Sequence, residues 1–93
     1  MVRAVTFREY VREILNTARY QPCEDAPGFV AVVDALPGCM TQGKTFEDTR
    51  EQVIDAIETW ILSALKDGAP LPVVNGCRLA ILDSTEEPEV AYG

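Results

Sequence analysis

The strongest constraint in this sequence is the segment between Thr45 and Pro72. Val53, Ile54, Ile57, Trp60, Ile61, Ala64 and Leu65 recur there at helical spacing and form one dense apolar stripe. Both ends are punctuated. Thr45 stands as an N-cap, with Glu47 and Asp48 in the first turn, where carboxylates suit the helix dipole. Gly68 fits the residue just past the helix end, and Pro70 and Pro72 prevent continuation. A chain of 93 residues, 47% of them hydrophobic, builds one domain with one modest core. A long helix across one face of a small sheet is what such a chain can build.

A second helix is marked over about 6–17. Thr6-Phe7-Arg8-Glu9 is a capping box, and Val5 and Tyr10 occupy the positions of a hydrophobic staple. Phe7, Tyr10, Val11, Ile14, Leu15 and Ala18 follow with helical period, opposite a charged face of Arg8, Glu9, Arg12 and Glu13. Arg19–Cys23 and Phe29–Val33 read as strands joined by the turn Glu24-Asp25-Ala26-Pro27-Gly28, an antiparallel hairpin. The second of these strands is apolar at odd and even positions alike, which predicts cover on both sheet faces. The apolar face of the first helix supplies it, or a second chain does. Phe7, Tyr10, Ile14 and Trp60 are therefore candidates for a subunit contact in a homo-dimer or higher oligomer.

Leu36-Pro37-Gly38 predicts a turn, Cys39–Thr41 a third strand, and Arg78–Leu82 a last one after a turn at Asn75-Gly76. Gly43 is expected to supply a positive φ before the Thr45 cap. Residues 83–93 are acidic and read as a tail. The expected order is helix, strand, strand, strand, helix, strand: an α+β fold with an antiparallel sheet, in a single domain with its core over about 18–82.

The stretch Gly38–Thr45, GCMTQGKT, matches the string of a phosphate-binding loop. Such a loop follows a buried parallel strand of a large doubly wound sheet, for which a chain of this size, with a hairpin just before the motif, has no room. Thr45 serves better as a helix cap than on magnesium.

Charge and composition exclude more. The net charge is −7, and its distribution is uneven: residues 1–20 carry four Arg against two Glu, the rest four basic against thirteen acidic side chains. This disfavours direct nucleic-acid binding and favours attraction to basic partners. The absence of histidine removes Ser-His-Asp, Cys-His and His-metal chemistry within the chain. Cys23, Cys39 and Cys77 lack CxxC spacing and read as small apolar residues in a reducing, cytoplasmic setting. No signal peptide or membrane span is expected. No catalytic residue, metal or cofactor is assigned.

The turn and its sequel carry a family resemblance. Asp34, Leu36, Pro37, Gly38, Cys39, Thr41, Gly43, Thr45, Glu47 and Asp48 lead into Ala56, Ile57, Glu58, Trp60 and Leu62, then Gly68, Pro70 and Pro72. This ordered set, with the preceding hairpin, resembles the HicB-like antitoxin family over roughly residues 18–75. The resemblance implies a truncated RNase H-like β-β-β-α-β unit that binds and blocks a small basic HicA-like mRNA-cleaving toxin. From the short acidic stretch after Pro72 no counterpart of the family's usual C-terminal DNA-binding domain is expected, and the first helix reads as an addition before the core.

Glu24, Asp25, Asp34, Glu47 and Asp48 are the candidate partner-binding carboxylates, as a surface complementary to a basic ribonuclease. Pro37, Gly38, Gly43 and Thr45 form the motif turn and cap. Two other readings stand beside this one: an orphan self-associating, protein-binding module without a toxin, and a vestigial RNase H-like nuclease holding metal on the same carboxylates.

Overall fold

The computed structural model describes residues 1–80. In chain order it contains β1 (Arg3–Val5), α1 (Phe7–Leu15), β2 (Arg19–Pro22), β3 (Phe29–Val32), β4 (Met40–Gly43), α2 (Phe46–Asp67) and β5 (Cys77–Leu79). The fold is α+β, and the β-β-β-α-β order expected for the core runs from β2 to β5. Of the last strand expected at Arg78–Leu82 the structure has β5 at Cys77–Leu79, while residues 81–82 and the acidic tail at 83–93 lie outside the described residues.

β3 is the centre of an antiparallel sheet of order β2-β3-β4. Its register sets Pro22, Phe29 and Gly43 at one end and Arg19, Val32 and Met40 at the other. Strand alternation then places Tyr20, Ala31 and Thr41 on one face and Val30, Val32 and Met40 on the opposite one. The long helix α2 lies across the first of these, burying Val53, Ile57 and Ile61 completely together with Ala31.

The ends of both helices follow from their caps. Thr6 Oγ1 accepts from Glu9 N at 3.1 Å and Glu9 Oε1 accepts from Thr6 N at 3.2 Å, the expected capping box. Thr45 Oγ1 accepts from Asp48 N at 3.0 Å, and Gly68 ends α2 in the left-handed region at φ 70°.

β1 has no counterpart among the expected elements. It pairs in parallel with β5, Arg3 opposite Cys77 and Val5 opposite Leu79, as a separate two-stranded sheet. The last strand therefore closes on the start of the chain and not on the antiparallel sheet. Against this pair and α2 lies α1. Tyr10 and Ile14 are fully buried there, and the Tyr10 hydroxyl donates to the Pro72 carbonyl. Their assignment as subunit contacts is withdrawn, because they present no surface to a second chain. Nor does α1 cover the outer face of the antiparallel sheet. Val30 and Val32 are only half-buried and Met40 is 63% exposed, so that face stays open among the described residues.

All three cysteines remain thiols. Cys39 and Cys77 are buried as expected, and burial pushes the Cys39 thiol pKa up, away from reactivity. Cys23 is half-buried. Among the described residues no helix is long and apolar enough to cross a membrane.

Candidate functional site

The hairpin tip and the start of α2 meet at one end of the antiparallel sheet. Two glycines make this possible. A Cβ on Gly28 would stand 2.3 Å from the Gly43 carbonyl oxygen, so the turn 24–28 lies directly over the β4–α2 junction. A Cβ on Gly43 would stand 2.7 Å from Thr49 Oγ1 and 2.8 Å from Thr49 N. The reason for glycine at position 43 is thus the approach of α2 and not a positive φ. The left-handed glycines are Gly28, Gly38, Gly68 and Gly76. Gly38, at φ 81°, does shape the motif turn as its Pro-Gly dipeptide implies.

The sheet register brings four of the five candidate carboxylates to this end. Glu24 and Asp25 sit in the hairpin turn, Glu47 and Asp48 in the first turn of α2, and all four are exposed. At this end an open cleft of about 820 Å³ is lined by Ala26, Pro27, Gln42, Gly43, Lys44, Asp48 and Gln52, so that Asp48 alone of the four carboxylates lines it. Asp34 is not part of the group. It follows β3 at the opposite end of the sheet, where the Arg19 guanidinium grips it at 2.9 and 3.1 Å. That hydrogen bond holds the Asp34 pKa below its ordinary value and the Arg19 pKa above its own. Asp34 is therefore a paired charge and contributes little net field to the acidic end.

A feature that sequence reasoning missed stands beside the acids. Phe46, the first residue of α2 and 42% exposed, packs on Tyr20 with ring centroids 4.7 Å apart and meets Phe29 edge-on at 6.1 Å. Of the three rings Phe46 is exposed and Tyr20 and Phe29 are half-buried. Strand alternation puts Tyr20 and Phe29 on one sheet face, but only the three-dimensional junction brings Phe46 over them.

The remaining motif residues hold the scaffold. The Trp60 indole N–H donates to the Pro37 carbonyl at 3.0 Å, tying the motif turn to the middle of α2. Trp60 and Phe7 are half-buried and keep part of their surface open. Thr45 has its hydroxyl engaged by Asp48 N, and the strand before it belongs to an antiparallel edge, as the cap reading of GCMTQGKT requires. Among the described residues no three Asp, Glu or Cys side chains converge closely enough to hold a metal ion.

Residues 9–72 match a family described as UPF0150-like. The chain belongs to that family. It is 39% identical over 51 residues to the UPF0150 protein ssl0259 of Synechocystis sp., covering 55% of this chain and 68% of that protein. It is 36% identical over 59 residues to the UPF0150 protein Ta0767 of Thermoplasma acidophilum, covering 62% of this chain and 86% of that one. The crystal structure of TTHA0281 from Thermus thermophilus superposes with a TM-score of 0.68 at 28% identity, over 73% of this chain and 84% of the other. The matched span 9–72 takes in the hairpin, the motif turn and α2, and so the whole acidic end.

Proposed function

We propose that this UPF0150-like chain is a non-catalytic, HicB-like antitoxin-type protein that acts in the cytoplasm. It binds a small basic HicA-like mRNA-cleaving toxin and covers the site with which that toxin cuts. The observation that carries the reading is the acidic end: four exposed carboxylates on the hairpin turn and the first turn of α2, the helix that Phe46 opens against Tyr20 and Phe29, with close glycine contacts where the turn and the helix meet. The carboxylates steer a basic partner and speed encounter, while the aromatic rings supply the desolvated contact that slows release.

The test is affinity capture of the tagged chain from its native cells, run in parallel with a Glu24→Lys/Asp25→Lys variant and read by mass spectrometry. The expected result is a stoichiometric small basic protein retained by the parent chain and lost from the variant at low salt. Equal recovery by both would refute the acidic end as the binding face.

The second reading is an orphan module that self-associates. It is favoured by the open face of the antiparallel sheet, which carries Val30, Val32 and the exposed Met40. Sedimentation analysis of the chain and of Val32→Glu would decide it: a dimer or larger species that dissociates in the variant supports self-association through this face.

A further inference from the structure

The positive charge of this acidic molecule gathers between its two helices. A groove of about 350 Å³ lies there, and none of the candidate carboxylates lines it. Phe7, Val11 and Leu15 of α1 and Ile54 of α2 give it an apolar floor. Val11 is buried, whereas the other three are only half-buried. Arg8, Arg12 and Arg50 stand exposed along it, against one acid, Glu58. Arg8 and Arg12 are four positions apart on α1, a like-charge spacing that destabilises a helix. Both carboxylates of α1 are engaged elsewhere: Glu9 Oε1 accepts from Thr6 N at 3.2 Å, and Glu13 Oε1 accepts from Asn75 Nδ2 at 3.1 Å. Among the described residues the only ion pair is Arg19–Asp34, so none of the three groove guanidinium groups is paired with a described carboxylate.

The shape of the groove says what fits it. Its lining residues fall in rows at i, i+4 and i+8: Phe7, Val11 and Leu15 on α1, and Arg50, Ile54 and Glu58 on α2. Rows of this spacing are the ridges by which helices interlock, and the channel between two of them takes the corresponding ridge of a third helix. Each row is roughly 12 Å long, about two turns of such a helix. The helices of a second copy are poor occupants, because α1 and α2 both spend their apolar faces on their own core.

We propose that the groove between α1 and α2 is a docking site for an acidic amphipathic helix of another protein. The apolar stripe of that helix seats on Phe7, Leu15 and Ile54, and the carboxylates on its flanks meet Arg8 and Arg12 on one side and Arg50 on the other. The planar guanidinium fork takes a carboxylate through two parallel hydrogen bonds. The floor supplies affinity, and the arginines select among helices by repelling those with basic flanks. The chain thus carries two docking faces of opposite charge, and this one does not depend on what binds the acidic end.

The test is an NMR titration of the full, isotopically labelled chain at low salt with a synthetic peptide of about sixteen residues, long enough to hold a helix. The peptide carries leucine at i, i+3, i+4 and i+7 and glutamate on both flanks of that stripe. The expected result is saturable shifts of the Phe7, Val11, Leu15 and Ile54 signals. Binding should weaken roughly tenfold in Arg8→Gln/Arg12→Gln, which removes two charge pairs and keeps good helix formers in α1. A peptide of the same composition with its leucines dispersed around the helix should also bind roughly tenfold more weakly, since it offers charge without a stripe. No saturable binding, shifts confined to other parts of the fold, equal affinity for the two peptides, or equal affinity of the two chains would each overturn the proposal. So would groove shifts that grow with concentration in the chain alone, which would make the occupant a second copy.

Discussion

Replacing Gly43 by alanine sets a methyl group 2.7 Å from Thr49 Oγ1, 2.8 Å from Thr49 N and 3.0 Å from Thr49 Cα. None of these atoms is free to yield. Thr49 is fully buried, its N–H donates to the Thr45 carbonyl at 3.0 Å, and its hydroxyl donates to the same oxygen at 2.7 Å. The first turn of α2 must therefore move off β4. Overpacking of a well-filled site costs about 1–3 kcal/mol, and contact with backbone atoms puts this case at about 2–3 kcal/mol. For a domain of this size that lowers Tm by roughly 8–24 °C, to be read by circular dichroism during thermal unfolding. Gly38→Ala is the control. Its Cβ would meet nothing within 4 Å, so only the left-handed backbone at φ 81° opposes it, at about 1–2 kcal/mol. Adding Thr49→Ala to Gly43→Ala brings no rescue, because the backbone contacts at 2.8 and 3.0 Å persist. A Gly43→Ala chain that melts within about 2 °C of the parent, or above Gly38→Ala, would refute the close approach of α2 to β4.

Three further outcomes are expected. The Asp34 carboxyl titrates below its ordinary 3.8, and Arg19→Ala returns it upward; since the folded-state value is the depressed one, the pair stabilises the fold above the unfolded-state value and that contribution is lost as pH falls through the folded one, measurable by carboxyl carbon NMR. Tyr10→Phe removes the hydroxyl that donates to the Pro72 carbonyl and costs about 1 kcal/mol in urea unfolding without changing the m-value. Thr45→Ala removes the acceptor for Asp48 N and costs about 1 kcal/mol, while Thr45→Asp restores most of it.

Local chemistry made the helices and the hairpin legible. Thr6-x-x-Glu9, Thr45, Gly68 and the Pro70-x-Pro72 exit fixed the helix ends to within a residue or two of where the structure has them. The positions that escaped sequence reading depend on residues distant in the chain. β1 is three residues long and has no pattern of its own; its partner Cys77 stands more than seventy positions away from Arg3, and only that pairing makes it a strand. The same pairing draws α1 against β5 and α2, which is why Tyr10 and Ile14 are core and not a subunit contact. Gly43 illustrates a second kind of failure. A glycine before a helix cap invites a conformational explanation, whereas here the missing side chain makes room for Thr49. Of the acidic residues, sequence neighbours Glu24-Asp25 and Glu47-Asp48 were found as pairs, but their gathering at one end follows from sheet register. The register likewise sends Asp34 to the other end, onto Arg19. Phe46 is a first-turn helix residue whose aromatic partners become visible only once β2 and β3 are laid beneath it.

The most direct test of the central claim is inhibition of RNA cleavage. The small basic protein recovered with this chain is to be purified alone, given RNA, and titrated with the chain. The account predicts that cleavage by the isolated protein stops at stoichiometric addition, and that Glu24→Lys/Asp25→Lys requires a large excess at the same low ionic strength. Recovery of no basic partner, a partner that does not cleave RNA, or cleavage that continues unchanged in the presence of this chain would contradict it.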